Sequence, residues 1–189
     1  MVTGGGAPAS AAGDVPVLAP GGVFARNREG LPDRIPADEV RRELDAQIAR
    51  FQALAGRLPT HLDSHPHAAL HSDVAPVFAE VARRLSLPVR AASDEARLDL
   101  RAAGVRTPDR FLDAFYGEGA VAATLERLLD ELPEGTSELM CHPGRADAEL
   151  KRLSTYAGER EREIEVLCDP RIRQRLTERK IALIGYDAL

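Results

Sequence analysis

The sequence predicts an α/β fold built on a mainly parallel sheet. Two observations carry that expectation. Segments with apolar residues at helical spacing alternate with short apolar runs, and no hairpin signal separates one short run from the next. Such alternation is the pattern of βα units. No internal repeat is visible.

Residues 1–30 are rich in Gly, Ala and Pro and show neither a helical nor a strand period, which predicts a loop-like N-terminal segment. The Gly4–Gly6 triplet resembles a phosphate cradle only superficially, because no strand precedes it and no GK[ST] follows. Residues 31–189 are expected to form one (β/α) body. Val40, Leu44, Ile48, Phe51 and Ala55 mark a first helix that Gly56 caps. An extended segment over Pro59–His65 follows, then a helix over Val74–Leu85 and a brief strand at Pro88–Ala91. Residues 92–110 read as polar and irregular. Val121, Leu125, Leu128 and Leu132 mark a third helix, and Glu138–His142 reads as a strand stopped by Pro143-Gly144. A helix is expected around Tyr156–Leu167. Asp169-Pro170 then opens another that runs to about Lys180, because Asp caps and Pro suits the first helical position. Ile181–Tyr186 is the expected last strand.

Composition narrows the function classes. The 189 residues are 44% hydrophobic and 29% charged, with a net charge of −5 and no Lys/Arg block. A nucleic-acid groove needs clustered positive charge, so none is expected. No apolar run reaches the length of a membrane span, and MVTGGGAPAS lacks the charged-then-apolar order of a secretory signal. Two cysteines, Cys141 and Cys168, do not make a disulfide framework, and a reduced, cytoplasmic protein is expected. Without Trp, the core must be aliphatic.

Chemistry concentrates in Thr60–His67, with His71 just beyond: four of the five histidines lie within eleven positions. Strand side chains alternate, so His61, Asp63 and His65 are expected on one face, and Pro66 should stop the strand there. Polar groups at a strand's carboxyl end occupy the place where βα folds build active sites. Imidazole and carboxylate suit a divalent metal such as Zn, and carboxylate suits Mg. Not every member need be a ligand: His61 is placed to orient Asp63, and His71 to begin the next helix. A second candidate is His142, at the end of another expected strand. His65 and His142 are expected at strand carboxyl ends on one side of one sheet. Cys141 alternates away and reads as a small buried apolar residue. Arg90, closing its short strand, is either a surface charge or the orienter of a carboxylate.

At these residues the chain resembles the YdjC-like carbohydrate deacetylases, a group that includes chitooligosaccharide and hopanoid-associated enzymes. The resemblance rests on PTHLDSHPH (Pro59–His67), PVR (Pro88–Arg90), AFYGE (Ala114–Glu118), ELMCHPG (Glu138–Gly144) and the pattern from Tyr156 to Tyr186. It implies a NodB-like distorted (β/α) barrel and removal of an N-acetyl group from an amino sugar or glycolipid head group by metal-activated water. It implies a metal ligand at His65 and a general acid at His142. Asp63 would be catalytic or bracing, and His61, His67 and Arg90 would line or support the substrate site. Two elements of the family pattern have no counterpart in this chain: an ADDFG-like strand end and a G-x-H strand. Their Asp and His serve the metal and the base. The barrel is therefore expected to be incomplete, with its first strands missing, and turnover by these residues alone is expected to be small. A homodimer is a possible partner arrangement. Two rival readings stand beside this one: a remnant that binds sugar or a partner without catalysis, and a different metallohydrolase such as a phosphoesterase.

Overall fold

In the computed structural model, residues 5–65 and 67–189 are described; Pro66, and Gly4 of the glycine triplet, lie outside the described residues. The chain forms two compact units, residues 1–108 with 185–189, and residues 109–184.

In the first unit, helix α1 (Ala37–Ala55) ends where Gly56 turns left-handed at φ 68°, as its sequence suggests. Helix α2 (Ala75–Arg84) packs against it. Arg41 forks onto Glu80 across that contact at 3.0 and 2.7 Å. Val40, Leu44 and Ile48 of α1 and Val77, Phe78 and Val81 of α2 are buried in one aliphatic core. The stripe runs out sooner than its spacing implied, since Phe51 is exposed.

The loop-rich start is held by this core. Residues 12–30 form three short 3-10 turns, and Val15, Leu18 and Phe24 are buried. Two carboxylates on the same face of α1 hold the segment in place. Glu43 accepts the N–H groups of Ala9 and Ser10 and the Ser10 hydroxyl, and Glu39 accepts those of Val17 and Leu18. A buried carboxylate must be paired, and backbone N–H groups without a ladder need acceptors, so each need meets the other.

Residues 59–65 and 88–91 meet at one parallel bridge, Leu62 to Val89. Leu62 N–H donates to Pro88 O at 2.9 Å, Arg90 N–H donates to Leu62 O at 3.2 Å, and Val89 N–H donates to Arg106 O at 2.9 Å. Helix α2 lies between the two bridged segments in sequence, so this is a short β-α-β unit. The expected irregular stretch 92–110 needs correction. It contains helix α3 (Asp94–Ala102), whose Ser93 cap accepts the Ala96 N–H at 3.1 Å. The helix escapes a periodicity reading because Leu100 is its one buried residue, while Leu98 faces solvent.

The second unit repeats the plan. Strand β1 (Arg110–Leu112) runs parallel to β2 (Ser137–Leu139), with Phe111 opposite Glu138, and helix α4 (Ala122–Asp130) connects them. The start of the pair is pinned by Asp109, whose Oδ2 accepts the Thr136 N–H and hydroxyl at 2.8 and 2.9 Å. Gly135 makes room for it: a Cβ there would lie 2.6 Å from that oxygen, at a φ of 107°. Helices α5 (Ala148–Leu153), α6 (Gly158–Leu167) and α7 (Pro170–Glu178) follow. Asp169 caps α7 and Pro170 opens it, as expected. Leu125, Leu128, Leu129 and Ile172 are buried where α4 meets α7. Ile181–Tyr186 is not a strand: no pairing is described there, Leu183 is 80% exposed, and Tyr186 starts a 3-10 turn. An apolar run becomes a strand only where a neighbour takes up its backbone groups. The described fold is thus mixed α/β, helix-rich, with small parallel pairings. No described helix is long and apolar enough to cross a membrane.

Candidate active site

Both units place their chemistry just past the carboxyl ends of parallel segments, the position where open α/β sheets bind ligands. His65 lies in the first unit and His142 in the second.

In the first unit, Leu62 and Ser64 are buried while Asp63 and His65 are exposed, which is the period of two expected of an extended segment. The Leu62–Val89 bridge sets the next residue of each segment side by side. Arg90 therefore reaches Asp63, Nη1 to Oδ2 at 2.7 Å, both side chains partly exposed. His61 receives a different setting: its Nδ1 lies 3.0 Å from Thr60 Oγ1, and its ring stacks on Tyr186 at 4.0 Å and 7°. His67 sits at a φ of 60°, unusual for a residue with a side chain. Its N–H donates to Ser64 O at 2.8 Å, and Ser64 Oγ accepts the Ala69 N–H at 3.0 Å. Asp63, Ser64, His67 and Arg90 line one cleft of about 730 Å³ that extends between α2 and α3. His71 is structural. Its Nδ1 accepts the Asp73 N–H at 3.2 Å, which leaves Nε2 to donate to Pro32 O at 3.0 Å.

In the second unit, Met140 N–H donates to Leu112 O at 2.9 Å and extends the β1–β2 ladder. His142 follows two residues later. Its backbone N–H donates to Glu163 Oε2. Glu163, fully buried, is the one buried residue of α6, and its other oxygen accepts the Tyr156 phenol. Tyr156 in turn accepts the Gly117 N–H at 3.2 Å. Burial, and then the bond to Glu163, push the Tyr156 phenol up to about 12, so it stays a neutral donor. Tyr116 stacks on Tyr156 at 4.4 Å and 9°. The His142 imidazole stands edge-on beside both rings, at 5.4 and 5.6 Å. Arg160 completes the frame, with Nε donating to Tyr156 O at 2.8 Å and Nη1 to His142 O at 3.2 Å. Cys141, half-buried, packs on the second core, and Cys168 is exposed.

Sequence reasoning on His142 alone did not reach Glu163, Tyr156 or Tyr116 as its neighbours. The signal in the sequence is a glutamate within the expected helix, seven residues after a tyrosine that lies just before α6. As for a metal, no three His, Cys, Asp or Glu side chains gather into a cation site among the described residues. Those residues do not by themselves fit a complete metal centre.

Known proteins match the chain over most of its length. The family model described as YdjC-like protein matches residues 1–178. A carbohydrate deacetylase of Thermoanaerobacter pseudethanolicus is 36% identical over 168 residues, covering 89% of this chain and 67% of that protein. A chitooligosaccharide deacetylase of Proteus mirabilis is 36% identical over 161 residues, 83% of this chain and 63% of its own length. An Enterococcus faecalis crystal structure, described as a cellobiose-phosphate cleavage protein, is 31% identical with a TM-score of 0.88 over 100% of this chain and 75% of its own. The chain thus spans about two thirds of the length of these deacetylases. It belongs to the YdjC-like protein family.

Proposed function

We propose that the chain carries part of the active site of a hydrolase that removes an N-acetyl group from an amino sugar, free or as a glycolipid head group. The observation that carries this is the alignment with relatives named carbohydrate deacetylase and chitooligosaccharide deacetylase at 36% identity. The architecture proposed for the whole enzyme is the NodB-like barrel, supported by the two parallel pairings, each spanning one helix.

In the reaction, water adds its oxygen to the acetyl carbon, the C–N bond breaks, and acetate and a free amine leave. The amine needs a proton as it departs. His142 is proposed to donate it, since imidazole exchanges protons near neutral pH. Glu163 and Arg160 hold the His142 backbone at its N–H and its carbonyl, which limits where the ring can go. Asp63 is proposed to act on the water or to position it, with Arg90 fixing the carboxylate. His61 and His67 are proposed to bound the substrate side. A divalent ion (Mg or Zn) is proposed to bind with His65 as one of its ligands. A cytoplasmic setting is proposed because two cysteines are too few for the disulfide framework of a small secreted domain, and a homodimer is proposed, to be checked by sedimentation.

A panel of N-acetylated chitooligosaccharides and sugar phosphates tests this. It is run on residues 1–189 and on a hybrid that adds the third of a curated relative left uncovered by the match. Acetate release by the hybrid is expected, with much less from residues 1–189. Phosphate release without acetate would replace the deacetylase reading with a phosphoesterase one. Sugar binding without any turnover would leave a binding remnant.

A further inference from the structure

We propose that the outer face of Tyr116 is a sugar-stacking platform beside His142. The inference rests on the deacetylase reading for its ligand class.

Tyr116 combines two properties that seldom coincide in a surface side chain. It is 47% exposed, yet it is pinned from several directions. One face of its ring lies on Tyr156 at 4.4 Å and 9°, and the Tyr156 phenol is itself tied to the buried Glu163. Its backbone belongs to a tight turn. Phe115, the preceding residue, is fully buried, and Gly119 N–H donates to Tyr116 O at 2.9 Å. Gly117 is held at both ends, its N–H by the Tyr156 oxygen at 3.2 Å and its carbonyl by Arg162 at 2.9 Å. Gly119 has no room for a side chain, since a Cβ would fall 2.2 Å from Ala114 O. A large ring on a rigid support keeps little freedom to lose on binding, which is what a preorganised contact requires.

The chemistry selects the partner. The face of a phenol ring is the negative side of its quadrupole. A pyranose presents a face of C–H groups with slight positive charge, and its hydroxyls point outward to water. Tyr156 occupies one face of Tyr116, so a sugar ring stacks on the other. His142 stands 5.4 Å from the Tyr116 centroid, beside the stack and not within it. A sugar on the platform is therefore next to the imidazole without being blocked by it. A tyrosine that merely filled a surface gap would need neither the paired ring nor the held turn.

The test uses residues 1–189 with di-N-acetylchitobiose and cellobiose as probes. The chain has three tyrosines and no tryptophan, so tyrosine ring NMR signals can be followed one by one. Addition of di-N-acetylchitobiose is expected to shift the Tyr116 ring signals and leave those of Tyr186 in place. Tyr116→Leu should weaken binding roughly tenfold, and Tyr116→Phe should restore it, because stacking needs the ring and not the hydroxyl. Unchanged melting temperatures in both variants separate loss of contact from loss of fold. Wild-type affinity in Tyr116→Leu, or no sugar binding by the wild-type chain, would overturn the platform. If cellobiose binds Tyr116 as tightly as the acetylated disaccharide and the hybrid releases no acetate, the platform stands and the deacetylase reading falls.

Discussion

Glu163 accepts the backbone N–H of His142 on one carboxylate oxygen. Its second oxygen takes the Tyr156 phenol, so one buried acid ties the proposed proton donor to the ring beside it. Removing that acid should damage both. Glu163→Ala leaves the part-buried His142 N–H and Tyr156 O–H without this acceptor, each worth about 1–3 kcal/mol. Urea unfolding should show a loss of about 2–6 kcal/mol. Glu163→Gln, which keeps one carbonyl oxygen, should lose clearly less. Equal stability of Glu163→Ala and wild type would show that the second unit does not depend on this acid.

The Tyr156 phenol sets an alkaline limit. Its folded value, about 12, lies above the ordinary value of 10.0, mainly through burial and then through Glu163. A group held more firmly protonated in the folded state stabilises below its unfolded value and loses that contribution as pH rises through its folded value. Stability should therefore fall between about pH 10 and 12. Absorbance titration should show a late phenol that Tyr156→Phe removes. A titration curve whose latest phenol is unchanged in Tyr156→Phe would contradict this.

Docking of the N-terminal segment depends on α1. Glu43→Ala removes the acceptor of the Ala9 and Ser10 N–H groups, and about 2–4 kcal/mol of stability should go with it. Hydrogen exchange at Ala9 and Ser10 should quicken before the rest of the unit opens. Protection unchanged at both amides would show that the buried Val15, Leu18 and Phe24 hold the segment alone.

Arg90→Ala should separate function from stability. The Arg90–Asp63 pair is partly exposed, and such pairs contribute about 1 kcal/mol or less. The melting temperature should barely move, while acetate release by the hybrid should fall about tenfold or more as Asp63 loses its orientation. A large loss of stability with normal turnover would reverse the assignment.

What the sequence disclosed follows the physics of each signal. Burial writes itself as period, so α1 and α2 could be placed from Val40, Leu44, Val77 and Val81, and Asp169-Pro170 announced the start of α7. Helix α3 buries little, so Ser93 was its best mark. Ile181–Tyr186 has the composition of a strand, but pairing is a property of neighbours and not of composition. At the site, Asp63, Arg90 and His142 stand out because ionisable groups at strand ends are conspicuous in sequence. The Glu163–Tyr156 support does not, since only the folded helix α6 turns Glu163 inward beneath a loop twenty-one residues earlier.

The most direct test of the proposed chemistry is the turnover of His142→Ala in the hybrid, measured as acetate released from di-N-acetylchitobiose at saturating substrate. General acid catalysis contributes about 10²–10⁴-fold, so kcat should drop by at least about 100-fold while disaccharide affinity and the melting temperature stay close to those of the parent. A His142→Ala protein that releases acetate at the parental rate would contradict both the imidazole's role as proton donor and the positioning role of Glu163 and Arg160 that hold it.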